Sequence, residues 1–174
     1  MRIIAGSCKG HRITAPKGLA TWPTSDRVRE SAFNLIGPVD DAAVLDLFAG
    51  SGALGLEALS RGAARAVFVE SDRDACRTIG ANLDKLRLTG ARVLCQDVLR
   101  FLATERGSYQ LILLDPPYDQ VRALAPRLAA TLPGLLAEDG LVVYETSSRQ
   151  EPELPLALHT SRRYGSVRLT LFTR

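Results

Sequence analysis

The segment Asp115-Pro116-Pro117-Tyr118 carries the most specific chemical pattern in this chain of 174 residues. It follows the apolar run Leu111–Leu114, which is typical of a buried parallel strand. The two prolines have no N–H groups and restrict the backbone, so nearby carbonyl oxygens are free to face a ligand. The Asp115 carboxylate and the Pro116 carbonyl could then each accept a hydrogen bond from one amino group. A simple proline-rich turn is the structural alternative.

Two fixed acceptors suit methyl transfer to an exocyclic amine of a nucleic-acid base. The nitrogen lone pair of such an amine is delocalised into the ring, which makes the amine a poor nucleophile. Acceptors on both amine hydrogens favour a pyramidal nitrogen and stabilise the positive charge that develops there. The Tyr118 ring offers a face on which an extruded base can stack. We therefore predict that Asp115, Pro116, Pro117 and Tyr118 are catalytic.

A glycine-rich loop lies earlier in the chain, between an apolar run and a helical segment. Gly50, Gly52 and Gly55 match G-x-G-x-x-G, a spacing that lets the backbone turn sharply beside a helix N-terminus. A dinucleotide or S-adenosylmethionine could bind there, and a tight strand-to-helix turn is the structural alternative. Asp46 favours S-adenosylmethionine, because a carboxylate repels a pyrophosphate and attracts ammonium and sulfonium charges.

Two further acidic residues follow predicted strands. Glu70 lies about twenty residues beyond the loop, where an acidic side chain can accept hydrogen bonds from ribose hydroxyls. Asp97 could accept a hydrogen bond from an adenine amino group, and it equally suits the N-cap of the next helix. We expect no metal ion. The predicted cofactor-binding residues are Asp46, Phe48, Gly50, Ser51, Gly52, Gly55, Glu70 and Asp97.

The elements that must position these residues alternate between short apolar runs and helical stretches. Five strands are predicted, at Ala43–Phe48, Ala66–Val69, Arg92–Cys95, Leu111–Leu114 and Leu141–Tyr144. Helices are predicted to begin near Ala53, Arg73, Val98 and Gln120. This alternation indicates a doubly wound, mostly parallel sheet with helices on both faces. Every parallel strand then ends at the same edge, where ligands bind in such sheets.

The C-terminal residues break the alternation. Leu156–Thr160 and Val167–Phe172 are joined through Arg162-Arg163-Tyr164-Gly165-Ser166 without a helix, which predicts an antiparallel hairpin. This addition favours the methyltransferase variant of the fold over a dinucleotide-binding domain. The predicted fold class is α/β: a Rossmann-like class I S-adenosylmethionine-dependent methyltransferase fold with a mostly parallel seven-stranded sheet.

The N-terminal residues predict a small basic β-hairpin and a helix. Arg2–Ala5 and His11–Ala15 read as short strands joined by a turn at residues 6–10. Thr24, Ser25 and Asp26 offer N-cap side chains for a helix that Gly37-Pro38 ends. The local excess of positive charge permits contact with phosphates, and solubility is the alternative explanation. The predicted RNA-binding residues are Arg2, Lys9, His11, Arg12, Arg27 and Arg29.

Length and composition favour a single globular domain over residues 1–174. We divide it into a hairpin extension, 1–23, and a catalytic core, 24–174; a hydrophobic content of 46% allows one substantial core. The net charge of +3 permits a nucleic-acid partner without requiring one. No apolar run suits a bilayer or a signal peptide, so we expect the protein to be cytoplasmic. We also expect it to be a monomer. The three cysteines have no C-x-x-C spacing, and we expect them to be reduced and mostly buried.

With both motifs located, the chain resembles the RsmD family of bacterial 16S ribosomal RNA guanine-N2 methyltransferases over nearly its whole length. The segments that carry the resemblance occur in the family's order: Arg2–Gly6, Lys9–Arg12, Pro23-Thr24, Arg27–Glu30, Phe33-Asn34, Leu45–Gly55 and Asp115–Tyr118. Trp22 departs from the pattern, because the family commonly has Arg there. Trp22 could stack on a base, although packing is the more ordinary role of such a residue.

The resemblance implies a substrate, the N2 amine of one guanine in 16S ribosomal RNA within a small-subunit particle. It also implies that Asp46, Gly50, Glu70 and Asp97 line the cofactor site. Asp115, Pro116 and Tyr118 would hold the guanine, and the basic hairpin would grip RNA.

Three alternatives to this function stay open at the level of sequence. The Asp-Pro-Pro-Tyr segment suits adenine N6 or cytosine N4 as well, although a DNA enzyme generally needs a separate recognition region that this length hardly allows. An NAD(P)-dependent oxidoreductase would explain the glycine loop and Glu70 but would leave Asp46 and Asp115–Tyr118 without a role. A non-catalytic RNA-binding protein on the same scaffold is the third alternative.

Overall fold

The computed structural model describes residues 1–16 and 25–174. The expectations for Trp22, Pro23 and Thr24 therefore lie outside the described residues, as does the proposed boundary between the hairpin extension and the core.

One sheet organises the described part of the chain. Its seven strands are β1 (Ala43–Leu47), β2 (Arg65–Glu70), β3 (Ala91–Cys95), β4 (Tyr109–Leu114), β5 (Leu136–Ser147), β6 (Ala157–Tyr164) and β7 (Val167–Thr173). Their order across the sheet is β3-β2-β1-β4-β5-β7-β6. The first five strands run parallel, and β7 is antiparallel to both β5 and β6. The predicted fold class is confirmed.

Five helices accompany the sheet: the first precedes β1, and the other four connect the parallel strands, as the alternating pattern predicts. They are α1 (Asp26–Ile36), α2 (Ala53–Ser60), α3 (Arg73–Leu86), α4 (Val98–Thr104) and α5 (Val121–Leu135). The Ser25 hydroxyl caps α1 by accepting a hydrogen bond from the Val28 N–H at 3.2 Å. Gly37, with φ of 81°, ends that helix as expected.

Each face of the sheet carries its own apolar cluster. The face packed by α1, α2 and α3 buries Phe33, Leu56 and Ile79, whereas the face packed by α4 and α5 buries Phe101 and Leu128. The β4 run Leu111–Leu114 is at most 2% exposed, which confirms the expectation of a fully buried strand. No helix among the described residues is long and apolar enough to span a membrane.

Three predicted segments differ from the structure most in extent. β5 spans Leu136–Ser147, whereas the predicted strand covers only Leu141–Tyr144. β6 continues through Tyr164, so Arg162 and Arg163 lie in the strand and the turn is only Gly165-Ser166. The N-terminal hairpin pairs as predicted, but it contains a single β-bridge, between Arg2 and Arg12. Beyond the bridge the Ile3 N–H still bonds the His11 carbonyl of the facing chain, whereas the Ile4 and Ala5 N–H groups bond the Glu57 carboxylate of α2.

The cysteines are only partly as expected. Cys8 is buried and Cys76 is half-buried, but Cys95 is exposed. The prediction is wrong for Cys95 because it ends β3, an edge strand that has a neighbour on one side only.

Candidate active site

The glycine loop and the Asp-Pro-Pro-Tyr turn follow adjacent strands of the sheet. β1 and β4 are adjacent parallel strands that pair Leu47 with Leu114, and the Asp115 N–H points to the Leu47 carbonyl at 3.5 Å. The glycine loop follows β1 and the Asp-Pro-Pro-Tyr turn follows β4. The strand order reverses between these two strands, which is where open α/β sheets bind ligands.

The glycine loop adopts the left-handed backbone that its sequence permits. Gly50 and Gly52 have φ of 54° and 76°, and Phe48 holds a φ of 61°, which is unusual for a bulky residue. Strain of this kind is concentrated at functional sites. Gly52 is the N-cap of α2 and supplies no side-chain hydrogen bond to the helix start. Gly52 therefore does not cap the first N–H groups of α2, and N–H groups at a helix start suit a polar ligand.

Asp46 lies beneath this loop. Its side chain is buried, with the residue 1% exposed, and its Oδ2 accepts a hydrogen bond from the Gly55 N–H at 2.9 Å. Burial raises the pKa of Asp46 well above its usual range, and the nearby charges of Asp115 and Glu70 raise it further, against the lowering effect of the Gly55 bond. Asp46 thus anchors the loop from below, and its direct contact with a cofactor stays a prediction.

Glu70 ties the glycine loop to the end of β2. Its Oε2 accepts a hydrogen bond from the Gly50 N–H at 2.8 Å, and its Oε1 accepts one from the Asp72 N–H at 2.8 Å. A carboxylate has about four lone-pair sites, so both oxygens keep capacity for ribose hydroxyls. Glu70 is half-buried beside the loop, which fits its predicted role.

Asp97 serves as the N-cap of α4. It is exposed, and its Oδ1 accepts a hydrogen bond from the Arg100 N–H at 2.9 Å. The capping alternative is confirmed, and contact with an adenine amino group stays a prediction.

The Asp-Pro-Pro-Tyr turn presents Asp115 half-buried and Tyr118 40% exposed at the rim. The Tyr118 hydroxyl lies near the Glu145 carboxylate, and the Tyr118 carbonyl accepts a hydrogen bond from the Gln150 Nε2 at 2.9 Å. Burial raises the pKa of the Tyr118 hydroxyl, and the charges of Glu145 and Asp115 raise it further. Tyr118 is therefore a neutral donor at neutral pH, and its ring is held by contacts at both ends.

Glu145 was not among the residues predicted from the sequence. It is only 4% exposed and lies in β5, one position after the predicted strand Leu141–Tyr144. Asp115 was predicted because an acidic residue directly follows a buried parallel strand. The same signal is present at Glu145, so Glu145 could have been predicted from the sequence.

The predicted RNA-binding residues divide into exposed and buried members. Five are exposed: Arg2, Lys9, His11, Arg12 and Arg27. Arg29 is 0% exposed, so its assignment to RNA binding is wrong. Its guanidinium pairs with Asp26 at 2.9 Å and with Glu57 at 3.6 Å and donates to the Arg2 carbonyl. The cause is the buried Glu57 carboxylate, which needs a positive partner inside the fold.

The hairpin is fixed to the core next to the glycine loop. Glu57 of α2 accepts hydrogen bonds from the Ile4 and Ala5 N–H groups at 2.8 and 3.0 Å. The buried Asn82 of α3 exchanges two hydrogen bonds of 2.9 Å with the Thr14 backbone and reaches the Ser51 carbonyl at 3.4 Å. The hairpin therefore has a defined position relative to the loop.

The described residues contain no group of three or more His, Cys, Asp or Glu side chains placed to hold a metal ion.

Sheet order, glycine loop and acceptor turn together define a class I methyltransferase fold. The chain matches the family described as Conserved hypothetical protein 95 over residues 1–173 and belongs to that family, which is the RsmD family it resembles. It is 40% identical to YlbH of Bacillus subtilis over 184 residues, covering 100% of this chain and 99% of that protein.

Two further proteins are also similar to this chain over its whole length. The chain is 38% identical over 180 residues to the Ribosomal RNA small subunit methyltransferase D of Escherichia coli K12, covering 100% of this chain and 90% of that protein. A solved structure of yhhF from Escherichia coli superposes with a TM-score of 0.88 at 39% identity, covering 100% of this chain and 97% of that one.

Proposed function

We propose that this protein transfers a methyl group from S-adenosylmethionine to the exocyclic N2 amine of a guanine in 16S ribosomal RNA, within a small-subunit particle. One observation carries the proposal: the glycine loop and the Asp115 turn leave adjacent strands, with the Asp115 N–H 3.5 Å from the Leu47 carbonyl. Cofactor and amine would then meet at one rim. The relatives' names support ribosomal RNA as the substrate class.

The residues of the glycine loop fit S-adenosylmethionine. The loop curves through Gly50 and Gly52, and the N-cap residue of α2, Gly52, has no side chain to cap the helix. Glu70 would accept hydrogen bonds from the ribose hydroxyls, and Asp97 would accept one from the adenine amine. When bound, S-adenosylmethionine supplies the methyl group as a sulfonium electrophile. Asp46 would hold the loop in place by its bond to Gly55.

The acceptor turn would prepare the amine. Asp115 and the Pro116 carbonyl each accept one hydrogen bond from the N2 amine, which favours a pyramidal nitrogen with its lone pair directed away from the ring. As the new N–C bond forms and the S–CH3 bond breaks, with S-adenosylhomocysteine as the leaving group, the nitrogen would become positively charged, and both oxygens would stabilise that charge. Asp115 then accepts the proton that the nitrogen gives up. Tyr118 would stack on the base with its exposed ring.

The exposed hairpin cations would bind RNA phosphates. Lys9, Arg12 and Arg27 are exposed, and the hydrogen bonds of Glu57 and Asn82 fix the hairpin beside the glycine loop. We propose that the protein acts as a monomer of one domain, with residues 1–23 as the hairpin extension. Arg29 contributes to the fold and not to the RNA surface.

The test is methylation of small-subunit particles isolated from a strain that lacks this protein. Purified protein, labelled S-adenosylmethionine and these particles are expected to yield N2-methylguanosine at one position of 16S ribosomal RNA, located by nuclease digestion and mass spectrometry. N6-methyladenosine or N4-methylcytidine as the product would favour the base alternatives. Absence of any labelled nucleotide, or binding of NAD in place of S-adenosylhomocysteine, would contradict the proposal.

A further inference from the structure

A buried carboxylate, that of Glu145, lies next to the acceptor turn. β4 and β5 are adjacent parallel strands that pair Leu114 with Tyr144, so Asp115 and Glu145 are the next residues of the two strands. Side chains alternate between the faces of a sheet, which puts both carboxylates on the face packed by α1 and α2. The glycine loop leads into α2 on this same face, so Glu145 belongs to the rim that would hold the target base.

The Tyr118 hydroxyl marks the point where the two carboxylates converge. Besides burial, the charges of Glu145 and Asp115 both raise the pKa of this hydroxyl, which indicates that it lies near both carboxylates. Glu145 is only 4% exposed, and a carboxylate so deeply buried is stable only with hydrogen-bond donors, of which the nearby phenol can be one. Because a carboxylate has about four lone-pair sites, Glu145 can accept a further N–H from a ligand beside the tyrosine.

Among the bases with an exocyclic amine, guanine has the matching edge. Its Watson–Crick edge carries two adjacent donors, the N1–H and the N2 amine. Adenine and cytosine instead present a ring-nitrogen lone pair next to their amine. A second carboxylate beside Asp115 would attract the guanine N1–H and would repel the lone pair of the other two bases. Extruded bases are commonly read through hydrogen bonds to this edge.

We propose that Glu145 determines the base specificity of this site by accepting a hydrogen bond from the guanine N1–H while Asp115 accepts one from the N2 amine. This inference rests on the proposed function, since it concerns the same pocket. It assigns the choice of base to Glu145, because the acceptor turn alone suits any exocyclic amine.

The test compares two bases at the position that the wild-type protein methylates. Small-subunit particles are reconstituted with 16S RNA carrying either guanine or 2-aminopurine there. 2-Aminopurine keeps the amine, but its N1 is a lone pair. The wild type is expected to methylate 2-aminopurine at least about 100-fold more slowly, because a site built to hydrogen-bond a donor strongly rejects an analogue without it.

Glu145→Gln replaces the carboxylate with an amide that can donate to the N1 of 2-aminopurine. We expect the rate of this variant on guanine to fall about 10- to 100-fold and its rate on 2-aminopurine to stay level or rise. The ratio of the rate on guanine to the rate on 2-aminopurine should then be within about tenfold. The matched control is Glu138→Gln, an exposed residue at the opposite end of β5, which should keep the wild-type preference. Affinity for S-adenosylhomocysteine checks that both variants are folded.

Three results would overturn the inference. One is a wild type that methylates both bases at similar rates, a result that needs no variant. Another is a Glu145→Gln variant whose methylation rate falls equally on both bases, which would mean that Glu145 only supports Tyr118. The third is an unchanged preference in that variant. A wild type that forms no N2-methylguanosine would instead refute the proposed function, so the two failures can be told apart.

Discussion

Gly55→Ala is expected to weaken both the fold and the cofactor site. The added Cβ would lie 2.8 Å from the Phe68 Cζ and 2.9 Å from the Asp46 Oδ2, both closer than real Cβ contacts allow. Neither neighbour can yield easily, because Phe68 is fully buried and Asp46 is bonded to the Gly55 N–H. Overpacking of this kind costs about 1–3 kcal/mol of unfolding free energy, which corresponds to a Tm lower by about 2–12 °C.

The assay pairs calorimetric unfolding with titration of S-adenosylhomocysteine. Because the substitution displaces the start of α2, we expect its affinity to fall at least about tenfold. Gly80→Ala is the matched control: Gly80 lies inside α3 with no atom near its added Cβ, so this variant should gain about 0.5–1 kcal/mol and bind normally. A Gly55→Ala protein as stable as the wild type, with unchanged affinity, would refute the close packing of the loop on Phe68.

Three other predictions concern buried and exposed charges. Arg29→Met removes one of the two guanidinium partners of the buried Glu57 carboxylate, the other being Arg61 at 2.8 Å, and should cost about 1.5–3 kcal/mol in urea unfolding. A loss below about 0.5 kcal/mol would contradict the buried pair. Burial holds the pKa of Asp46 above 3.8, so its contribution to stability is complete below that pH and declines as the pH rises through its folded-state value. The Tm of the wild type should therefore fall relative to that of Asp46→Asn as the pH rises above about 4, and a constant difference between the two Tm values would be the opposing result. The exposed hairpin cations Arg2, Lys9 and Arg12 are replaced together with Ala. This variant should bind RNA more weakly, and the slope of log affinity against log salt concentration should become less steep by about 2–3. An unchanged slope in filter-binding assays would show that the hairpin does not contact the RNA.

The fold could be predicted from the sequence because its signals are local. Continuous apolar runs of strand length, separated by helical stretches, specify a parallel sheet, and the missing helix before Val167 specifies the antiparallel end. The adjacency of the glycine loop and Asp115 followed from the same pattern, since parallel strands end at one edge. Helix N-cap residues such as Asp97 could also be predicted, because a capping side chain next to a helical stretch is a local signal.

The failures arise from contacts between residues distant in sequence. Arg29 reads as a surface cation, and only the folded chain brings it to the buried carboxylate of Glu57. Glu145 carries the same local signal as Asp115, an acidic residue directly after an apolar run, but its proximity to Tyr118 depends on the pairing of β4 with β5. The contacts with cofactor and RNA remain predictions, because they depend on ligands and not on the chain alone.

The central claim is that Asp115 acts on the target amine and not on the cofactor, and single-turnover methylation by Asp115→Asn tests it most directly. Small-subunit particles and saturating S-adenosylmethionine are used, with S-adenosylhomocysteine affinity measured in parallel. Asp139→Asn, at the far end of β5, is the control. The account predicts a rate lower by about 10²–10³-fold with affinity within a few fold of wild type. A rate close to that of wild type, or a loss of rate fully matched by a loss of affinity, would contradict it.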